Sequence, residues 1–196
     1  MVEKIKKRQI VGVICALLVS SCLLLNPTAH AESFMRTASG WINPTNVDPN
    51  GNGSRISIIT TYGKGKFGTS VSNSTTEVEQ FDPTQPRFCS FSFPLIIVVE
   101  LPLLARSTVT RFANGDLLFA TLDLDPSLSS RLCVDVLNHT TASEVHMVIS
   151  GGTGKFAGAT GTLLITTNGT QLHFEDDLNI HSGVTEITEG EIFFSH

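Results

Sequence analysis

The chain has 196 residues and a formal net charge of −5, with 13 Lys and Arg against 18 Asp and Glu. An acidic chain without a basic stripe lacks the electrostatic footprint of a nucleic-acid binder. Its length suits one domain of ordinary size and suggests no second.

Lys4, Lys6, Lys7 and Arg8 precede an apolar run from Ile10 to Leu25, and Asn26-Pro27 and Ala29-His30-Ala31 follow it. This is the order of a signal peptide over residues 1–31, with cleavage between Ala31 and Glu32. A second route fits the same residues, because Val19-Ser20-Ser21-Cys22 matches the pattern at which bacteria lipidate a cysteine. The chain is therefore read as exported to the periplasm or beyond, or else as anchored through Cys22. The apolar run is short of the about 20 residues that span a bilayer, and no transmembrane span is expected in the mature chain. Cleavage removes four of the 13 basic residues and one of the 18 acidic ones, leaving nine against seventeen, a net −8. Neither nucleic acid nor anionic lipid is an expected partner.

Residues 32–53 are rich in Asn, Pro and Gly, with Trp41 as their large aromatic anchor. They are read as an N-terminal arm with a leading strand at 35–42 and then a turn-rich loop, ahead of a single β-barrel domain over 54–196. Short alternating or β-branched runs follow at 54–62, 66–72, 75–81, 88–101, 107–113, 116–124, 132–137, 143–150, 161–167, 170–174 and 185–194. No segment sustains a helical period, so the domain is all-β.

Asn114-Gly115 predicts a two-residue hairpin turn, since both positions tolerate positive φ. Such a turn sets Phe112 opposite Leu117 and Thr110 opposite Phe119 on one face, with Arg111 opposite Leu118 and Val109 opposite Ala120 on the other. Asn168-Gly169 predicts a second hairpin between 163–167 and 170–174. Both faces of the first hairpin are partly apolar, as expected where one meets a packed layer and the other a barrel lumen.

The most hydrophobic mature segment, 93–105, is interrupted by Glu100 and Pro102 and reads as a buried strand leading into a turn. Glu100 pointing into a lumen would have a raised pKa and be a candidate general acid or base. The plainer alternative puts it at the strand mouth, solvated or paired with Arg106. With Cys15 and Cys22 in the signal, Cys89 and Cys133 remain, and an oxidising compartment favours one bridge between them. Loop entropy makes such a link worth about 4 kcal/mol. The pair lacks Cys-x-x-Cys spacing and local zinc partners.

Asp116, Asp123, Asp125 and Asp135, and the trio Glu175-Asp176-Asp177, lack the spacing of a calcium loop and read as solvated strand ends. His139, His146, His173, His181 and His196 show no paired metal spacing, so no metal is assigned. There is no Gly-x-Ser-x-Gly elbow. Asn73, Asn138 and Asn168 open glycosylation-type triplets, read as surface turns.

Residues 149–163 run Ile-Ser-Gly-Gly-Thr-Gly-Lys-Phe-Ala-Gly-Ala-Thr-Gly-Thr-Leu. Lys155 is followed by Phe156 and not by the Ser or Thr of a phosphate loop. Gly152-x-Gly154-x-x-Ala157 is followed by a β-branched run and not by the helix that a dinucleotide fingerprint requires. What survives is a glycine-rich crossing between two strands. Residues 62–68, Tyr-Gly-Lys-Gly-Lys-Phe-Gly, echo residues 152–158 and read as a similar corner.

The segment Gly-Gly-Thr-Gly-x-Phe-x-x-Ala-x-Gly resembles the signature of dirigent proteins, allene oxide cyclases and their secreted bacterial relatives. Residues 111–122 and a paired cysteine also resemble the bacterial relatives, and together these pieces cover about Cys89 to Leu164. The resemblance implies a closed antiparallel barrel of about eight strands, calycin-like, that uses no cofactor and forms trimers. It implies an architectural role for Gly151, Gly152, Gly154, Phe156, Gly158 and Gly161, with Phe156 plugging the core. It carries no catalytic residue across, which leaves Glu100, Arg111 and Asp123 as lumen candidates from this sequence alone. Three functions stay open: binding of a small apolar or aromatic ligand, or an envelope role, without chemistry; a cofactor-free isomerase, cyclase or dirigent-like enzyme; and a structural surface protein with a filled barrel. A buried carboxylate facing an open cavity favours the enzyme, an open apolar cavity favours binding, and a packed interior favours structure.

Overall fold

A computed structural model describes residues 30–45, 47–82, 84–89, 98–135, 137–174 and 180–194. The signal-like segment up to residue 29 with Cys22, the apolar residues 93–97, the trio at 175–177 and His196 lie outside the described residues.

The described residues contain nine strands: β1 (His30–Pro44), β2 (Arg55–Gly65), β3 (Gly68–Val78), β4 (Val98–Phe112), β5 (Leu117–Leu122), β6 (Arg131–Asp135), β7 (Thr140–Gly152), β8 (Thr160–Phe174) and β9 (Ile180–Phe194). Eight of them close an antiparallel barrel in the order β1-β2-β3-β4-β5-β7-β8-β9, with β9 returning to β1. Closure leaves no free edge among these eight. The ninth, β6, is outside that ring and continues its seam. β5 pairs with Ser107–Arg111 of β4 and Met147–Gly152 of β7, whereas β6 pairs with Val98–Pro102 and Thr140–Glu144 of the same two strands. Two short strands thus lie end to end in one gap between two long ones. Pro102, which has no N–H to donate, falls at the end of the β6 ladder, where its loss costs least.

Several expectations need correction. The barrel begins before residue 54, because 35–42 lies within β1, a full stave between β2 and β9. Residues 68–72 of the run 66–72 and 75–78 of the run 75–81 belong to one strand, β3, and 161–167 and 170–174 to another, β8. There is no turn at Asn168-Gly169. The chain runs straight through, with Gly169 opposite Thr141 on one side and Val184 on the other. Glycine is needed there for space, since a Cβ would stand 2.3 Å from Thr141 Oγ1.

The hairpin at Asn114-Gly115 does form, with a register one residue from the expected one. Arg111 faces Leu117, Thr110 faces Leu118 and Val109 faces Phe119. The Gly115 amide donates to Phe112 O at 2.9 Å and Gly115 has φ 90°, giving a three-residue loop that ends in a left-handed residue. The extra loop residue puts Thr110 and Leu118 together on the buried side.

Alternation sorts the wall cleanly. On β3, Ser70, Ser72, Ser74, Thr76 and Val78 are buried; on β7, Ser143, Val145, Met147 and Ile149 are. β4 changes phase midway. Its register with β3 shifts between Glu77 and Val78, where Leu104 is the unpaired residue. Beyond this bulge Arg106, Thr108, Thr110 and Phe112 point inward, and before it Leu103, Leu101 and Val99 take the inward places.

Candidate functional site

The lumen has three zones. At the end where β1, β4 and β8 meet the glycine-rich crossing, it is plugged by aromatic rings. β7 and β8 are joined through a short turn, Gly154–Phe156, that drives Phe156 inward until it is 1% exposed. Its ring stacks on Phe112 with centroids 4.7 Å apart and meets Phe67 edge-on at 5.3 Å. Phe34 and Phe194 complete the group. Gly152 makes the approach possible, since a Cβ there would lie 2.6 Å from that of Phe156. The two echoing segments therefore meet: Phe67 comes from the β2–β3 hairpin and Phe156 from the crossing. Lys155 Nζ lies 4.3 Å from the Phe67 ring centroid, and Glu32 pairs with both Lys66 and Lys155 over the plug.

The middle zone is polar and charged. Arg36 of β1 donates from Nη1 to Glu186 Oε1 of β9, from Nε to Ser70 Oγ at 2.8 Å, and from Nη2 to the Thr61 carbonyl at 3.1 Å. Thr188 Oγ1 adds a bond to the same Glu186 oxygen at 3.2 Å. Arg106 of β4 is more weakly held, with Nη2 3.4 Å from Ser74 Oγ and 3.9 Å from Glu186 Oε2. Burial pulls the pKa of both arginines down and Glu186 opposes it. Guanidinium stays protonated in proteins, so two buried cations share one buried carboxylate among the described residues. The remaining void beside Arg36, Glu186 and Thr110 is about 10 Å³, about the space of one water.

The third zone, at the opposite end, is open. Where β1 ends, β2 begins and β3 ends, a chamber of about 120 Å³ is lined by the apolar side chains of Ile42, Val78, Leu101, Leu132 and Val134 together with polar and charged residues that include Ser57, Arg55, Glu79 and Gln80. β6 supplies two of these walls, and a disulfide holds β6 in place: Cys89 is bonded to Cys133 with Cα atoms 6.0 Å apart. A larger groove of about 740 Å³ crosses β6 to β9 beside Cys133 and Ala142. Its border between Cys89 and Val98 lies outside the described residues.

None of the three lumen candidates reaches these zones. Glu100 faces outward because of the bulge at Leu104, and it sits 3.8 Å from Arg131 and not beside Arg106. Arg111 is exposed between two buried neighbours, Thr110 and Phe112. Asp123 follows Leu122, the last inward residue of β5, and its Oδ1 accepts the Asp125 amide at 3.0 Å. Asp116 caps the glycine-rich turn by accepting the Lys155 amide at 3.1 Å. His146 lies 3.6 Å from Glu144 on the outside, and His181 Nδ1 lies 3.3 Å from Asn43 Oδ1. Among the described residues no three metal-ligating side chains converge, and no helix is long and apolar enough to cross a membrane.

Sequence reading missed Arg36, Arg106 and Glu186. A signal was present: Ser70, Ser72, Ser74 and Thr76 alternate with side chains of the other face, which marks an inward polar row, and Arg106 lies opposite it in the β3–β4 register. Asp48 was also passed over. It accepts amides from Asn50, Asn52 and Gly53, which accounts for the shape of the β1–β2 loop. No protein-family model matches the chain, and no curated protein matches it.

Proposed function

We propose that the chain is an exported β-barrel binding protein, without chemistry of its own, that takes a small apolar or aromatic ligand into the chamber at the disulfide end. The carrying observation is that chamber of about 120 Å³, whose apolar walls Ile42, Val78, Leu101, Leu132 and Val134 stand beside Arg55, Glu79 and Gln80. An apolar cavity of about 150 Å³ stays dry and accepts one benzene ring, so the volume suits a single ring or a short branched chain. Support for an enzyme is weaker, because the buried carboxylate Glu186 is already held by Arg36, Thr61 and Thr188, and the void beside it is about 10 Å³. Export rests on the basic-then-apolar N-terminus and is supported by the disulfide. The likeness of the glycine-rich crossing to dirigent and allene oxide cyclase barrels belongs to the same proposal.

Titration calorimetry with toluene and benzyl alcohol tests the reading. Binding is expected at one site and should vanish in Leu101→Trp, whose larger side chain fills the chamber. Absence of binding to the wild-type chain, or binding that survives Leu101→Trp, overturns it. The filled plug and the nearly filled centre favour one other reading, a structural barrel with no ligand, and that reading gains if no probe binds.

A further inference from the structure

We propose that the outer wall of the barrel over β1–β4 is a binding face for an acidic polysaccharide, a chain of pyranose rings that carry uronate carboxylates. The face is outside the lumen, and it stands or falls independently of the chamber.

The sequence holds one Trp and one Tyr, and the fold sets them side by side in water. Trp41 of β1 is 44% exposed and Tyr62 of β2 is 52% exposed, with ring centroids 5.7 Å apart. Among the described residues neither the Trp41 indole N–H nor the Tyr62 hydroxyl has a hydrogen-bond partner. Scattered apolar side chains on a surface need no explanation, but Trp and Tyr are the residues that concentrate at recognition surfaces, where a flat ring and a polar tip are both used.

Beside this pair an open groove of about 790 Å³ runs over the wall. The strand registers fix what lines it. In one outward row Ser39 of β1 faces Tyr62, Tyr62 faces Val71 of β3, and Val71 faces Arg111 of β4. In the next row toward the aromatic plug, Thr37 faces Lys64 and Lys64 faces Thr69. Neighbouring strands stand about 4.8 Å apart, so the backbones of Tyr62 and Arg111 are about 10 Å apart, a separation that two linked sugar rings bridge.

Charge selects the class of ligand. Lys64 and Arg111 are exposed and line the groove, no acidic residue lines it, and neither cation has a carboxylate partner among the described residues. The chain as a whole has 13 basic against 18 acidic residues, so the groove is a local reversal of its charge and complements an anion. A pyranose ring presents an apolar face of C–H groups and an edge of hydroxyls. Tyr62 and Trp41 suit the face, and the hydroxyls of Thr37, Ser39 and Thr69 suit the edge. A carboxylate on the adjoining ring reaches Arg111, whose planar guanidinium can hold it through two parallel hydrogen bonds. A lipid surface calls instead for a protruding apolar tip, whereas this face is recessed and rich in hydroxyls.

The test is fluorescence and calorimetric titration of the full chain at low salt with a short oligogalacturonate and with its methyl ester, which keeps the rings and cancels the charge. Trp41 is the one Trp of the chain, so its emission reports on this face directly. The acid should shift that emission saturably and bind about 5-fold more tightly than the ester, the scale of exposed charge pairs, with the gap closing in high salt. Joint replacement Lys64→Gln and Arg111→Gln should erase the gap, and Tyr62→Ala should weaken both sugars by about 5-fold or more. All three side chains are exposed, so the variants should keep the wild-type circular dichroism. Equal affinity for acid and ester overturns the uronate assignment, and silence of both sugars overturns the site. Acid binding untouched by either variant puts the sugar elsewhere and overturns the groove. Tighter binding of a single-stranded oligonucleotide or of anionic lipid vesicles than of the oligogalacturonate overturns the polysaccharide as the partner.

Discussion

The two ends of this barrel are built from the same sheet and closed in opposite ways. At one, five phenylalanine rings from separate elements, Phe34, Phe67, Phe112, Phe156 and Phe194, fill the cross-section, and the residues that cover them are the lysines and glutamate of a surface latch. At the other, the wall is patched with β6, tied by one disulfide, and leaves a chamber of about 120 Å³. The first end is held by packing, which is diffuse and tolerant of conditions. The second is held by a covalent tie and by short polar turns, which respond to reductant and to acid. Between them, Glu186 couples Arg36 to Arg106, so the middle carries the electrostatic cost of joining the two.

The comparison is broken most severely by removing what each zone depends on. Phe156→Ala should destabilise by about 3–5 kcal/mol in denaturant unfolding, as for other fully buried aromatic side chains. A loss under 1 kcal/mol would mean that the plug is not the core. Glu186→Gln strands two buried guanidiniums and should cost a similar amount, about 3–5 kcal/mol, the cost of breaking a buried pair by removing one partner. A neutral effect would show that water or an ion already compensates the arginines. Replacing both Cys89 and Cys133 by Ser should cost about 2–4 kcal/mol, given a loop of 44 residues. The effect should be lopsided, with hydrogen-exchange protection falling in β6 and the first half of β4 while β8 beside the plug stays protected. Uniform loss across the barrel would contradict the division into two differently held ends.

The mildest perturbation is acid. Hydrogen bonds from Gly53, Asn52 and Asn50 hold the Asp48 carboxyl below its usual pKa, the Thr84 hydroxyl and amide do so for Asp82, Ser127 for Asp125, and Asn138 for Asp135. A depressed folded-state pKa contributes stability that is present above the unfolded value, about 3.9, and is lost as pH falls through the folded value. Asp48 and Asp82 lie in the loops that follow β1 and β3, and Asp135 ends β6. Ligand affinity and local protection there should therefore decline below about pH 4 before global unfolding begins. Simultaneous loss at both ends would contradict this order.

How much of this was readable from residues alone depended on whether the relevant signal was local. The all-β class, the Cys89–Cys133 tie and the hairpin at Asn114-Gly115 follow from short-range chemistry, and the structure contains each of them. Register did not follow, because it turned on one loop residue: Gly115 closes a three-residue loop and slides Leu118 opposite Thr110. Asn168-Gly169 misled for the opposite reason. Its composition suits a turn, but tertiary packing of Thr141 against Gly169 made the same glycine useful in the middle of a strand. The charged centre was hidden most deeply. Arg36, Arg106 and Glu186 come from β1, β4 and β9 and become neighbours only when the ring closes. Glu100 drew attention for its apolar surroundings, yet its direction was set by a bulge four residues away.

That bulge gives β4 an unusual tolerance of one particular deletion. Leu104 acts as a one-letter frameshift in the alternation of the strand: upstream the odd-numbered residues belong to the interior, downstream the even-numbered ones do. A lineage that lost this single leucine would join Leu103 directly to Ala105, the residues already paired with Val78 and Glu77, so the bulge would close and every other side chain, Glu100 included, would keep its present face. Point substitutions at Leu104, which is exposed, should likewise be freely exchanged. What the strand cannot absorb is a flattening of the bulge with all its residues kept, which would turn Glu100 toward the lumen and Leu101 and Leu103 toward water, a constraint visible in the spacing of a strand and invisible in its composition.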